Sequence, residues 1–124
     1  MAFNKDLYER GMKIRREVVG DAYVDAAMEN ADEFSKPMQE MVTQYCWGDV
    51  WDREGLDRRT RSLINLSMIA ALNRSDELQA HIRGALNNGV TKEEIKEVFL
   101  QVAIYCGMPA GLGSFKAAQK VYKE

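Results

Sequence analysis

Hydrophobic positions recur with the 3.6-residue period of an amphipathic helix along nearly the whole chain. The pattern predicts a first helix that ends near Gly20, a second over about Asp21–Glu29 and a third over about Ser35–Tyr45. The aromatic and charged segment WGDVWDREGL that follows is predicted to be a loop. No segment alternates between apolar and polar residues for long enough to predict a strand, so the fold class is all-α.

The second half of the chain begins with a fourth predicted helix, DRRTRSLINLSMIAALN, capped by Asp57. Its second half is apolar nearly all round, so we expect this half to be central and buried. Ser75 is expected to cap a fifth helix, which ends at Gly89.

The sixth predicted helix starts with a capping box formed by Thr91 and Glu94, and Gly107 breaks it. Pro109 is placed to start a seventh helix that ends near Tyr122. The sequence therefore predicts six or seven helices.

Length, charge and cysteine content narrow the class of protein. A chain of 124 residues predicts a single domain, residues 1–124, that can bury a sizeable core. The net charge of −2 argues against a nucleic-acid partner. We expect neither a signal peptide nor a membrane span, because Met1 to Gly20 is charged throughout and apolar runs are short. Cys46 and Cys106 lack CxxC spacing, which fits a reducing, cytoplasmic setting without metal or dithiol chemistry.

The only histidine, His81, is the first candidate for chemistry. Glu77 lies four residues before it, so on a helix the two side chains share one face. A carboxylate beside an imidazole is a usable acid–base pair near neutral pH. The alternatives are a solvated ion pair, or a histidine at the edge of the core that bonds a backbone carbonyl.

Three further residues are candidates for binding an anionic or aromatic ligand. Arg61 shares a helix face with apolar positions, so its stem should reach inward and its charge would need a protein carboxylate or a ligand. Trp47, near Trp51, could wall a pocket, anchor a subunit interface or simply fold back over the core. Tyr105 could reach a site with its hydroxyl or could be ordinary core packing.

Four segments together resemble the carboxymuconolactone decarboxylase family. They are GMKIRREVVGDAYVD, WGDVW, LDRRTRSL and ELQAHIRGALNNGVTKEEIKEVFLQVAIYCGMPA, in that order along nearly the whole chain. The resemblance implies the all-helical alkylhydroperoxidase-D-like fold and homo-oligomeric rings, commonly trimers or hexamers. The thiol branch of this superfamily carries Cys–x–x–Cys–x–x–x–His, but Arg74 and Glu77 stand where those cysteines would be, so we do not expect redox chemistry.

The resemblance to the decarboxylase branch implies cofactor-free decarboxylation of 4-carboxymuconolactone, a small anionic lactone, to the enol-lactone of 3-oxoadipate in protocatechuate breakdown. His81 would deliver a proton and Glu77 would orient it, while Arg61 and Arg74, with Trp47 and Tyr105, would bind the substrate. The alternatives are a paralogous enzyme with another small substrate, or a non-catalytic helical binding or assembly module.

Overall fold

The computed structural model describes residues 2–124, which fall into two compact units with their boundary between Leu56 and Asp57. The N-terminal unit contains α1 (Lys5–Val19), α2 (Asp21–Glu29), α3 (Lys36–Met41) and a π-helix (Val42–Val50). The C-terminal unit contains α4 (Arg58–Ala71), α5 (Ser75–Asn87), α6 (Lys92–Cys106) and α7 (Met108–Tyr122). The described residues contain no strand, so the predicted all-α class is confirmed, as is the count of seven α-helices. The single domain over residues 1–124 stays a prediction.

Local capping signals explain most helix boundaries. Asp57 accepts a hydrogen bond from the backbone N–H of Thr60 at 2.7 Å, and Thr91 and Glu94 form the predicted capping box. Gly20 ends α1 with a φ of 92°, a conformation that favours glycine. Ser75 is the first residue of α5 and Arg74 occupies the capping position, so the predicted Ser75 cap is wrong by one residue.

The predicted loop after Tyr45 is wrong for Trp47 to Val50, which continue the π-helix. The backbone N–H of Trp51 donates to the carbonyl of Cys46 at 3.0 Å, the five-residue spacing that defines this helix type. Gly48 and Asp49 resemble a turn signal in sequence. In the structure, Gly48 instead allows a neighbouring helix to approach the backbone.

That neighbour is α1, which packs on the π-helix through glycine on both sides. A Cβ at Gly11 would lie 1.9 Å from the carbonyl oxygen of Thr43, and one at Gly48 would lie 2.4 Å from the carbonyl oxygen of Leu7. Both positions therefore require glycine for space. The core of this unit groups Ile14, Val18, Val19, Val24, Trp47 and Trp51.

The C-terminal unit has its own core, centred on Leu66, Phe99 and Ile82. The predicted complete burial of the second half of α4 is wrong, because Met68 is 51% exposed although Leu66 and Ala70 are buried. In α7, a Cβ at Gly111 would lie 2.4 Å from the Cβ of Ala103, so the glycine-rich start of α7 serves close packing on α6. None of the described helices has the length and apolar character needed to cross a membrane.

The contact at Gly11 gives a test of the N-terminal unit. Gly11→Ala should lower the free energy of unfolding by about 1–3 kcal/mol, because the added methyl overlaps the backbone of the π-helix. Urea denaturation measures the change. Gly55→Ala is the matched control, because a Cβ there meets nothing within 4 Å. Equal stability of the two variants would contradict the close contact.

Candidate active site

His81 lies on α5, three residues after the buried Leu78 and one residue before the buried Ile82. Leu78, Ile82 and Ala85 form the apolar stripe that packs into the core. His81 lies at the edge of this stripe and is partly buried. Burial lowers the pKa of His81 from 6.5 to about 4, and the negative charge of Glu77 opposes this effect without reversing it. The imidazole is therefore neutral at neutral pH.

Glu77 and Arg74 complete this group at the start of α5. Arg74 Nη2 lies 3.2 Å from Glu77 Oε1, and both side chains are exposed. The pKa of Glu77 is held below its ordinary value, first by the backbone N–H of Glu77 itself and then by the Arg74 guanidinium. The structure thus brings together Arg74, Glu77 and His81, with a carboxylate between a cation and an imidazole.

This arrangement combines three chemical capacities. A neutral imidazole has one nitrogen that can accept a proton and one N–H that can donate a hydrogen bond. The ionised Glu77 favours a protonated imidazole once a proton arrives. Arg74 Nη2 donates a hydrogen bond to Glu77 Oε1, so one role of this arginine is to hold the carboxylate in place.

Arg61 lies in the first turns of α4 and is partly buried, as its position in the sequence predicted. The apolar face that Arg61 was expected to share is only partly buried, because Met68, seven residues after Arg61 on α4, is 51% exposed. Ser62, the residue after Arg61, is buried and accepts a hydrogen bond from Asn88 Nδ2 at 2.9 Å. This bond connects α4 to the end of α5.

Tyr105 lies near the end of α6 and is 82% exposed, so the alternative of ordinary core packing is wrong. It lines a largely apolar groove of about 510 Å³ between α4 and α6, together with Ile64, Met68 and Cys106. His81, Glu77 and Arg74 are not part of the groove wall. Tyr105 is therefore not brought together with the α5 group by this groove.

Trp47 belongs to the N-terminal unit, where it is 4% exposed. Its ring centroid lies 4.9 Å from that of Trp51, in the core cluster of this unit. Of the three predicted alternatives for Trp47, the structure shows packing into the core of its own unit. Burial also raises the pKa of the nearby Cys46 thiol, which keeps it protonated and weakly nucleophilic.

Sequence reasoning missed Arg15, a buried arginine on α1. A signal was present: Arg15 follows Gly11 by four residues and precedes Val18 by three, so it lies along the apolar stripe of that helix. Within residues 2–124, no group of three or more His, Cys, Asp or Glu side chains is arranged to hold a metal ion.

The depressed pKa of His81 predicts how stability depends on pH. Because the folded state binds this proton less readily than the unfolded state, its contribution is complete above pH 6.5 and is lost as the pH falls towards 4. Between pH 7 and pH 5 the loss should be about 2 kcal/mol. The free energies of unfolding of wild type and His81→Gln are measured at pH 7 and pH 5, at the same protein concentration. The difference between the two proteins should change by this amount between the two pH values. A difference that stays constant with pH would contradict the depressed pKa.

Comparison with known proteins identifies the family of this chain. Residues 36–120 match the model of the carboxymuconolactone decarboxylase family. The chain is 41% identical to 4-carboxymuconolactone decarboxylase of Acinetobacter baylyi, over 94% of this chain and 87% of the relative. It is 43% identical to nitrosuccinic acid decarboxylase of Metarhizium robertsii, over 98% of this chain and 85% of the relative.

A shorter match of 44% identity covers 36% of this chain and 94% of a 4-carboxymuconolactone decarboxylase of Pseudomonas putida. The predicted classification as a carboxy-lyase is confirmed by these relatives together with the family match. The chain belongs to the carboxymuconolactone decarboxylase family.

Proposed function

We propose that this chain decarboxylates 4-carboxymuconolactone to the enol-lactone of 3-oxoadipate, a step in protocatechuate breakdown, in the cytoplasm and without a cofactor. The observation that carries the proposal is the partly buried His81 beside the Arg74–Glu77 pair, in a chain 41% identical to a relative named for this reaction. The same arrangement disfavours the alternative of a non-catalytic assembly module.

The reaction needs an electron sink and one proton. The departing carboxylate is attached to a ring carbon that is linked through a carbon–carbon double bond to the lactone carbonyl. When the bond to carbon dioxide breaks, its electron pair moves onto that carbonyl oxygen as a dienolate. The dienolate then takes up one proton on carbon, so the enzyme consumes one proton for each carbon dioxide released.

We assign the proton delivery to His81. The resting imidazole is neutral because burial disfavours its charge. An anionic substrate bound next to the imidazole supplies negative charge, which favours the protonated form and offsets the effect of burial. The imidazole therefore takes up a proton as the substrate binds. Glu77 holds the imidazole in orientation and supports its charge until the proton passes to the dienolate.

The binding roles divide among the remaining residues. We assign the second substrate carboxylate to the partly buried Arg61, whose guanidinium fork matches a carboxylate, and Arg74 stays a proposed substrate contact beside Glu77. Tyr105 stays a proposed substrate contact, whereas Trp47 is buried in the core of the N-terminal unit and is assigned no contact with the substrate. Tyr105 is too exposed on a single chain to enclose a ligand, so its contact requires the groove to be covered.

A second candidate substrate is nitrosuccinic acid, because a relative named for its decarboxylation is 43% identical over nearly the whole chain. Its nitro group can accept the electron pair as the lactone carbonyl does. The same proton donor would serve both acids, and the groups that bind the rest of the substrate would distinguish them.

We further propose that the chain forms a homo-oligomer, a trimer or hexamer, through its C-terminal unit. Large apolar side chains of this unit are exposed on α4, α6, α7 and the residues that follow α4: Ile64, Met68, Leu72, Leu100, Ile104, Tyr105, Met108 and Leu112. The groove between α4 and α6 has no charged residue in its described wall. Such a surface offers both protruding side chains and a concave receptor, which suits a second copy of the same chain.

Turnover of purified protein with 4-carboxymuconolactone, followed as carbon dioxide release, tests the catalytic proposal, with nitrosuccinic acid assayed in parallel. His81→Ala should lower turnover by about 10²–10⁴-fold, the usual contribution of a positioned acid–base group. Glu77→Gln should cost less, because it keeps shape and some hydrogen bonding. Cys106→Ser, which changes an exposed thiol, should be as active as wild type.

Normal turnover by a folded and assembled His81→Ala protein would refute the acid–base role. Release of carbon dioxide from nitrosuccinic acid alone would transfer the proposal to the second substrate. Loss of activity in Cys106→Ser would restore the thiol chemistry that the sequence argues against.

Light scattering tests the assembly. Ile104→Glu should dissociate the oligomer, because it places a charge in the middle of the exposed apolar surface of α6. Gln119→Glu adds the same charge at an exposed position outside that surface and should leave the assembly intact. A wild-type monomer at micromolar concentration, or an Ile104→Glu protein that remains assembled, would contradict the proposal.

A further inference from the structure

The N-terminal unit buries a cation among uncharged partners. The Arg15 side chain is 5% exposed, and its Nη1 donates to Gln39 Oε1 at 3.0 Å and to Thr43 Oγ1 at 3.2 Å. Neither acceptor carries a charge, and no described carboxylate lies within ion-pair distance of Arg15. Arginine keeps its charge in proteins, so burying it without a counter-charge is unfavourable. The fold therefore maintains an uncompensated positive charge here.

The surroundings of this guanidinium suit a polar ligand. Tyr8, Tyr23 and Cys46 lie close enough to affect its charge, and Arg16 adds further positive charge. Burial is the main influence and lowers the pKa of Arg15 from its ordinary value. Its two hydrogen bonds use Nη1 alone, which leaves Nε and Nη2 for another acceptor.

A cavity of about 480 Å³ in this unit is lined by the hydrogen-bond partner of Arg15, although Arg15 itself is not part of the cavity wall. Gln39 connects the two, because it lines the cavity and also accepts the hydrogen bond from Arg15. The apolar part of the wall includes Phe3, Tyr8 and Met28, and the rings of Phe3 and Tyr8 lie 5.3 Å apart. The cavity thus combines an aromatic wall with Gln39, the side chain that a ligand would have to displace to reach the buried cation.

We propose that this cavity binds a small organic carboxylate with an apolar or aromatic body, whose carboxylate replaces Gln39 as the acceptor for Arg15. A guanidinium fork matches a carboxylate, and the pair gains from the shielded environment that makes the unpaired cation unfavourable. Lys36 and Glu40 also line the cavity, and their opposite charges offset each other, so Arg15 sets the preference for an anion. This site lies wholly in the N-terminal unit and does not depend on the proposed decarboxylation.

Calorimetric titration of the full chain with benzoate tests the site. Benzamide is the matched ligand, because it has the same ring and shape without the charge. Benzoate should bind at least about tenfold more tightly, since hydrogen bonds to charged groups are worth about 1.5–3 kcal/mol. Equal binding of the two, or no binding of benzoate, would overturn the proposal. Sulfate that binds as tightly as benzoate would overturn the role of the apolar wall.

Gln39→Glu is the sharpest variant, because it supplies an internal carboxylate to Arg15 with almost no change of shape. It should keep or raise the stability of the fold and weaken benzoate binding by about 10- to 100-fold. Arg15→Met should weaken binding equally, and if it fails to fold, Gln39→Glu still decides. Benzoate affinity unchanged in a folded Gln39→Glu protein would refute the site.

Two controls locate the binding. Arg10→Gln removes an exposed arginine of the same helix, paired with Asp52 at 3.2 Å, and should leave benzoate affinity within about twofold. His81→Ala should also keep this affinity. Loss of benzoate binding in either control would place the ligand elsewhere and overturn the assignment to Arg15.

Discussion

Close contact between helices is the constraint on which both units depend. Gly11 and Gly48 remove the side chains that would overlap backbone where α1 meets the π-helix, and Gly111 does the same where α7 meets Ala103 of α6. Contact at this distance leaves no room for water. Any polar side chain on such a face must find a partner within the protein or bear the cost of desolvation. Arg15, one turn from Gly11, is the clearest case.

In the mechanism that we propose, desolvation also determines how His81 works. A histidine that was already charged would attract the substrate carboxylate and stabilise the ground state of the reaction, including the group that must leave. Because burial keeps the resting imidazole neutral, this stabilisation is absent until a proton arrives with the anion. The proton is then available for the dienolate, where it is needed. Glu77 is ionised throughout and limits the cost of forming the imidazolium.

The features that the sequence predicted correctly are those fixed by neighbouring residues. The Asp57 cap, the Thr91–Glu94 box and the bounds of α2 depend on hydrogen bonds within a few positions. The π-helix was missed, and the close contact that α1 makes with it joins residues far apart in sequence. The same limit explains the exposure of Met68, since an apolar helix face does not specify which neighbour covers it.

The candidate site also combines local features that the sequence predicted with tertiary features that it did not. The spacing of Glu77 and His81 was enough to predict that they interact on α5, and the structure agrees. Substrate binding by Arg74 stays a prediction, and the structure adds an ion pair with Glu77, three residues along the helix, that was not predicted from the sequence. The depressed pKa of His81 was beyond prediction, because it depends on how deeply the core of the C-terminal unit encloses the ring. Local spacing identifies which groups can meet, and tertiary burial sets their protonation.

If the Arg74–Glu77–His81 group delivers the proton, as we propose, substrate choice must lie outside it. Each of the two acids named in the relatives can pass the electron pair of its departing carboxylate to an electron sink, so each then needs one proton on carbon. A group that serves this shared step cannot distinguish them, because it acts on what they have in common. Discrimination requires contacts to the part of the molecule that differs, which a partly buried cation such as Arg61 can supply by matching the position of a second carboxylate. Changes at such binding residues can therefore alter the substrate while the proton-transfer group on α5 remains intact.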